Sequence, residues 1–414
     1  MSGKTYVIGA GLAGLSAAVR LAGRGRQVVL IEGAGQAGGR CRSYEDPALG
    51  MTIDNGNHLV LSGNHATYAY LRAIGAEDRL AGPKDAIFDF CDARDGKRWT
   101  LRPNPGPIGW WVLAKDRRVP DTHAADYLAL LKLMPKQGDK RLCDVIRCEG
   151  PLWERLLEPL MLAALNTEAA AGSAELAAAI VRETLAVGGR AYAPRIADPS
   201  LDAAFIAPAL AFLAKAGADV RIGRRVEAIA TEGDKAQSLT VGGEQIALAS
   251  DDRVIVATPA WITPGLLPGT PAPDAFCSIV NGHFRIDAPA GAPKMVGVIG
   301  GAAQWLFAFE GRISTTVSGA DALVDAPREE VAAALWKDVA TVYGLPAAEP
   351  PSWQVVKERR ATFAATPEQV KKRPGPRTRW RNLVLAGDWT DTGLPATIEG
   401  AIRSGHTAAE IILS

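Results

Sequence analysis

The sequence predicts an α/β protein whose nucleotide-binding half is assembled from separated stretches of chain. Three observations carry this prediction. Residues 5–14 read TYVIGAGLAG, a short strand running into G-x-G-x-x-G. Residues 382–413 read NLVLAGDWTDTGLPATIEGAIRSGHTAAEIIL, a strand, a Gly-Asp turn and a helix at the other end of the chain. The length of 414 residues also exceeds the roughly 250–300 residues that one hydrophobic core holds, so two interleaved domains are expected.

The opening unit has a physical task for each position. Gly9 permits the tight turn, Gly11 lets a pyrophosphate approach the backbone, and Gly14 lets the helix pack on the strand. Leu12 and Ala13 open the helix LSAAVRLA, whose free N–H groups and positive dipole end face the phosphates. Gly23 and Gly25 end that helix, and QVVLIE forms a second strand closing on Glu32, placed to accept hydrogen bonds from an adenosine ribose. A lone glycine motif is weak, but strand, helix and acid together predict a Rossmann-like dinucleotide site.

Composition bounds the rest. Apolar residues make up 48% and charged residues 22%, as in folded soluble domains. Lys plus Arg (46) nearly cancels Asp plus Glu (45), which argues against a general nucleic-acid binder. Cys41, Cys91, Cys143, Cys148 and Cys277 are odd in number and lack Cys-x2-Cys spacing, so reduced thiols and no metal site are expected. No signal-peptide pattern opens the chain, and no run reaches the roughly 18 apolar residues that span a bilayer. The expectation is a cytoplasmic protein with, at most, peripheral contact at the inner face of the membrane. Residues 104–120, NPGPIGWWVLAKDRRVP, are the local candidate: Trp110 and Trp111 beside basic residues either meet the bilayer interface or pack into the core.

FAD and NAD share the opening fingerprint. Gly38-Gly39-Arg40 after the second strand, and Gly387-Asp388 before the last helix, favour FAD. In these stretches the chain resembles the flavin-dependent amine oxidase and carotenoid desaturase superfamily. That resemblance implies an amine-oxidase-like fold in which Gly39 and Arg40 reach the nucleotide phosphates and Asp388, after Gly387, meets ribityl or phosphate oxygens. It also implies that backbone near Thr397 and Ile398, in a helix starting at about Pro395, meets the isoalloxazine ring. In ADVRIGRRVEAIA, read as one strand, the Val226 backbone would meet the adenine. The implied FAD-binding domain comprises residues 1–85, 200–265 and 375–414, interleaved with an α+β substrate-binding domain of residues 86–199 and 266–374. Within the latter, 152–186 reads as two helices.

No second G-x-G-x-x-G set between a strand and a helix is present, since the match at Gly33 to Gly38 belongs to the loop after the second strand, so electrons reach the flavin from an external reductant or from the substrate. SIVNGHFRID (278–287) carries Asn281 and His283 where amine oxidases often place a lysine, which puts oxidative deamination in doubt. Together with IDNGNHLVLSGN, QWLFAFEG, ERRATFAATP and LAGDWTDTGLPATIEGAIRSG, this strand resembles the squalene-associated FAD-dependent desaturases, the hydroxysqualene dehydroxylases, across nearly the whole chain. The resemblance implies reductive loss of hydroxyl from an apolar isoprenoid, hydroxysqualene, giving squalene for hopanoid synthesis.

The residues suit such chemistry. Hydroxide leaves poorly, so the departing hydroxyl needs a proton, and histidine is the natural donor near neutral pH. His58 is the first candidate acid and His283 the second, with Asn57 and Asn281 orienting the hydroxyl. Asn55 and Gly56 lie, by the resemblance, beside the flavin, where a missing side chain admits the ring. As an extended strand, Asp54, Gly56 and His58 share one face; as a turn, Asp54-Asn55-Gly56 reverses the chain. Trp305, Leu306, Phe307 and Phe309 either wall an apolar pocket or pack the core. Competing readings are a carotenoid-type desaturase, an amine oxidase and a non-enzymatic prenyl or lipid binder on the same fold.

Overall fold

The computed structural model describes residues 3–414. Runs of β-branched residues buried on both faces form a parallel sheet, as such sequences require. Its order is Asp219–Ile222, Val28–Glu32, Thr5–Ile8, Arg253–Val256, Leu383–Leu385. Helices Leu12–Ala22 and Ile398–Leu413 pack together on one face, around Val7, Leu15, Leu30, Ile255 and Ile402. Their approach is close because Gly405 has no side chain: a Cβ there would lie 2.0 Å from the Ser16 hydroxyl. The last helix starts three residues later than Pro395, because the Thr397 hydroxyl caps it by accepting the Gly400 N–H at 3.0 Å.

The antiparallel strands Val226–Glu232, Lys235–Val241 and Glu244–Ala247 supply apolar side chains to the core on the other face. This corrects the continuous strand expected from 219 through Val226. Gly223 adopts a left-handed φ of 72°, the chain turns there, and Val226 begins a new sheet.

The second large sheet has seven strands, in the order Trp353–Phe363, Phe276–Phe284, Arg312–Ser318, Trp305–Phe309, Met295–Ile299, Phe88–Asp92, Arg98–Leu101. Helix Arg328–Tyr343 covers one face, burying Val280, Phe284, Ile313 and Val317 against Leu335 and Val339. Strand alternation puts Leu306 on this helix side, so it cannot share a wall with Trp305 and Phe307, which point the opposite way. The two helices expected over 152–186 are Glu158–Leu165, preceded by a π-turn at Trp153–Leu157, and Ala174–Glu183.

All five strands of the parallel sheet come from residues 1–85, 200–265 and 375–414, and all seven of the larger sheet from the intervening segments. Pro194–Ala197 crosses that division by pairing with Leu59–Leu61 and Leu80–Ala81. The two adjacent tryptophans part company: Trp111 is buried edge-on against Tyr127 at 5.3 Å, whereas Trp110 is exposed. No described helix is long and apolar enough to cross a membrane.

Candidate active site between the two sheets

At the carboxyl ends of the parallel strands the backbone forms an open cradle. Gly9 has φ 104°, and a Cβ on Gly14 would lie 1.9 Å from the Gly9 carbonyl. Around Gly11, by contrast, nothing would stand within 4 Å of a Cβ, so the start of helix Leu12–Ala22 is free to receive an anion. The Gly38 amide bonds the Ala10 carbonyl at 2.8 Å, bringing the Gly38-Gly39-Arg40 turn alongside. Glu32 is fixed by two backbone amides, Ala10 and Ala34, each at 2.7 Å. Each oxygen keeps a second lone pair for a ribose hydroxyl. These residues fit a dinucleotide.

Arg40 and Asp388, expected as separate contacts to the same cofactor, are also partners of each other. One guanidinium nitrogen of Arg40 spans both Asp388 oxygens at 2.8 and 2.7 Å, and another meets the Ala361 carbonyl. Gly387 lets the Trp389 ring fold back over it, where a Cβ would approach the indole nitrogen to 2.5 Å. Arg373 pins the following loop through the Asp388 and Thr390 carbonyls. Burial lowers its pKa to about 10 against the pull of Asp391 and Asp388.

Residues 54–58 bridge the two sheets. Strand Met51–Asp54 ends, and Asn55 and Gly56 bend rather than continue it, which favours the turn reading. The Asn55 amide group donates to Glu358 at 3.2 Å, and its carbonyl accepts from Asn281 at 3.3 Å. Asn57 donates to the Thr316 hydroxyl at 3.1 Å, and that hydroxyl donates on to Asn281 Oδ1 at 2.8 Å. Asn57, Thr316, Asn281 and Asn55 thus form one chain of hydrogen bonds. It ends on Asn57 Oδ1, a buried acceptor with no donor in the protein. Gly56 sits against this chain, where a Cβ would lie 3.1 Å from Asn281 Nδ2.

The two candidate acids differ. His58 is half-buried next to Asn57, and desolvation lowers its pKa to about 4, with Arg40 adding to the fall and Asp54 opposing it. His283 is fully enclosed: Nδ1 meets the Ser314 hydroxyl at 2.8 Å, and Nε2 has no side-chain partner. Burial and then Arg312 press its pKa to about 3, against the Asp54 backbone. Arg312 itself is buried against Asp54 at 3.4 Å, over the Phe309 ring. Asp54 also accepts from the Ser43 hydroxyl at 2.6 Å and the Leu201 amide at 2.9 Å.

The register of the seven-stranded sheet orders these groups. Across one face the directly paired residues run Asn281, Thr316, Trp305, Gly297, Phe90, Trp99. A neighbouring row runs His283, Ser314, Phe307, Met295. Both rows begin polar, beside residues 54–58, and end apolar. Phe90 stacks on Trp99 at 5.4 Å and tilts on Trp305 at 5.8 Å, with Gly297 leaving room for both rings. Trp305 and Phe307 are buried in the shared core that also holds Trp153 and Met161.

Thr316, Ser314, Arg312 and Glu358 were not singled out by the sequence. The one available signal was the alternation of Arg312, Ser314, Thr316 and Ser318 with Ile313, Thr315 and Val317, which reads as an ordinary solvated strand face. Val226 begins the three-stranded sheet, and the residues before it lie beside the cradle: the Arg224 amide donates to the Glu32 carbonyl at 2.8 Å, and a Cβ on Gly33 would lie 3.4 Å from Arg225.

A family model described as flavin containing amine oxidoreductase matches residues 12–413. The chain is similar to hydroxysqualene dehydroxylase of Rhodopseudomonas palustris, 51% identical over 415 residues, covering 100% of this chain and 99% of that one. The hydroxysqualene dehydroxylase of Zymomonas mobilis is 48% identical over 410 residues, covering 99% of each. Among solved structures, putrescine oxidase with putrescine bound superposes with a TM-score of 0.72 at 17% identity over 100% of both chains, a likeness of fold.

Proposed function

The chain belongs to the flavin containing amine oxidoreductases, and from that premise we propose that it removes the hydroxyl of hydroxysqualene reductively to give squalene. Its full-length relatives carry the name of that activity. The observation that supports it in the structure is the sheet face running from the Asn281–Thr316 end to the Trp305–Phe90–Trp99 end. Such a face suits a long hydrocarbon with one polar terminus.

The reaction breaks one C–O bond, releases water and places hydrogen on carbon, consuming two electrons and two protons. FAD, when bound and reduced, supplies the hydride equivalent. The open cradle at Gly11, with Glu32, Gly39, Arg40 and Asp388 around it, would hold the nucleotide, and backbone at Gly56, Thr397 and Ile398 would border the ring. The protein's own residues handle the hydroxyl. Asn57 Oδ1, the acceptor without a donor, receives the substrate O–H and fixes its orientation. Thr316 acts through Asn57 and Asn281 as a positioning residue. His58 gives the proton that converts the hydroxyl into water. Its low pKa makes it a strong acid once protonated but leaves it mostly neutral at pH 7, so the rate should climb as pH falls toward 4. Complete enclosure of its ring and a still lower pKa leave His283 a supporting role through Ser314. Trp305 and Phe307 would wall the apolar end, and the two electrons of each turnover would come from a reductant outside the chain.

The test is anaerobic incubation of the FAD-loaded, chemically reduced protein with hydroxysqualene, with squalene measured by mass spectrometry. Squalene formation at one equivalent per flavin is expected, with His58→Gln slowed at least about a hundredfold, in the range of lost general acid catalysis. Flavin that stays reduced in the wild type, with no squalene, overturns the assignment.

A further inference from the structure

Two short 3₁₀ helices, Trp110–Leu113 and Ala124–Leu133, lie side by side at the outer end of the seven-stranded sheet, just after strand Arg98–Leu101. They are joined by the Trp111–Tyr127 edge contact, and the segment between them is tied to the longer one by the Val119 amide on the Tyr127 hydroxyl at 3.0 Å. With three residues per turn, positions i and i+3 of a 3₁₀ helix stand in one row. In the longer helix Tyr127, Leu130 and Leu133 form the inward row. The row Leu128, Leu131, Met134 faces outward, exposed by 61, 62 and 40%. In the shorter helix Trp111 turns in while Trp110 and Leu113 turn out, exposed by 50 and 73%, with Ile108 before them at 77%.

An outward row in water is ordinarily polar. Here six of the nine large apolar side chains exposed among the described residues fall within 27 positions, 108 to 134, four of them on two packed helices and the other two beside their ends. Single exposed apolar residues need no explanation, but a cluster of this kind marks a contact surface. Its charge identifies the partner. Between 104 and 136 stand Lys115, Arg117, Arg118, Lys132 and Lys136 against Asp116, Asp121 and Asp126, in a chain whose overall charge is only +1. Asp121 is itself bound by Lys97 and Arg155. The Arg117 guanidinium lies over the Trp110 ring at 4.9 Å, a pairing suited to the boundary between headgroup and acyl chain.

We propose that this surface docks on an anionic bilayer, with the two outward rows among the acyl ends and the flanking cations on the lipid phosphates. Docking of this kind is independent of the reaction assigned above. Where that reading holds, the surface also has a use, because it adjoins the aromatic end of the sheet face at Trp99 and Leu101 and would take a hydrocarbon directly from the membrane.

The test is sedimentation of the full-length FAD-loaded protein with vesicles of phosphatidylcholine alone or mixed with phosphatidylglycerol, without substrate. Binding should rise at least about tenfold with the anionic lipid and fall with salt. Leu128→Asp combined with Leu131→Asp, and separately Lys115→Glu combined with Lys132→Glu, should each lower it at least about tenfold. Flavin absorbance and turnover of detergent-dispersed substrate should stay unchanged in both. Equal vesicle binding by wild type and variants overturns the proposal. So does a wild-type dimer that ignores vesicles and separates in the Leu128/Leu131 variant, since a second copy then covers the rows. Vesicle binding without any squalene production would fault the reaction and leave the docking intact.

Discussion

Replacing His283 by Gln should change the sign of its effect on stability as pH falls. In the folded protein burial and Arg312 hold His283 at a pKa of about 3, whereas a free histidine has about 6.5. A folded pKa below the unfolded one means that the unfolded chain takes the proton first. Stability from this group is therefore complete above about pH 6.5 and is lost as pH falls toward about 3, at about 1.4 kcal/mol per unit. By pH 5 the wild type has lost about 2 kcal/mol through this residue alone. The variant avoids that loss but forfeits the 2.8 Å contact of Nδ1 with Ser314, worth about 1 kcal/mol. It should be less stable than wild type by about 1 kcal/mol at neutral pH and more stable by about 1 kcal/mol at pH 5. His58 and His406, both lowered to about 4, titrate alike in the two proteins and cancel in the difference. Urea unfolding of FAD-saturated protein at the two pH values, followed by tryptophan fluorescence, reads the gap directly. A gap of constant sign and size would show that His283 titrates normally, and the enclosed histidine would have to be abandoned.

Three further substitutions probe the same region. Arg312→Met should destabilise by about 3–5 kcal/mol, because Asp54 is left buried without its countercharge; adding Asp54→Asn should recover part of that in thermal unfolding. Thr316→Val keeps the shape but removes the hydroxyl linking Asn57 to Asn281, so kcat should fall about ten- to hundredfold while FAD affinity, read by flavin fluorescence, holds. Gly297→Ala brings a methyl group to 2.5 Å from the Phe90 ring and 3.3 Å from Trp305, which should cost about 1–3 kcal/mol and broaden the near-ultraviolet circular dichroism of the aromatic row.

What could be read from the sequence was governed by how local each signal is. Strand, glycine turn, helix and acid lie within residues 5–32, so the cradle and the anchoring of Glu32 were visible in one short stretch. Asn57, His58, Asn281 and His283 stood out because polar residues interrupt apolar runs. The Arg40–Asp388 pair was half visible: both residues were found, but their contact joins positions 348 apart. Boundaries at Gly223 and Thr397 shifted because a left-handed glycine and a hydroxyl cap override periodicity.

Thr316 and Arg312 were hidden for a different reason. Period-2 alternation says that a strand has a polar face and an apolar face, but not which one meets water. In Arg312–Ser318 both faces are buried: the apolar one under helix Arg328–Tyr343, the polar one under residues 52–57, some 258 to 260 positions away. A polar face roofed by another polar segment is costly unless nearly every group is paired. Here the pairing is close to complete, through Asp54 to Arg312, Ser314 to His283, and Thr316 to both asparagines. Farther along the same face the Trp305 and Trp99 indole N–H groups are unpaired, and at the end where the aromatic rows turn polar so is the acceptor Asn57 Oδ1. Packing alone would have little reason to keep an acceptor there without a donor, and the hydroxyl of an otherwise apolar substrate would supply one.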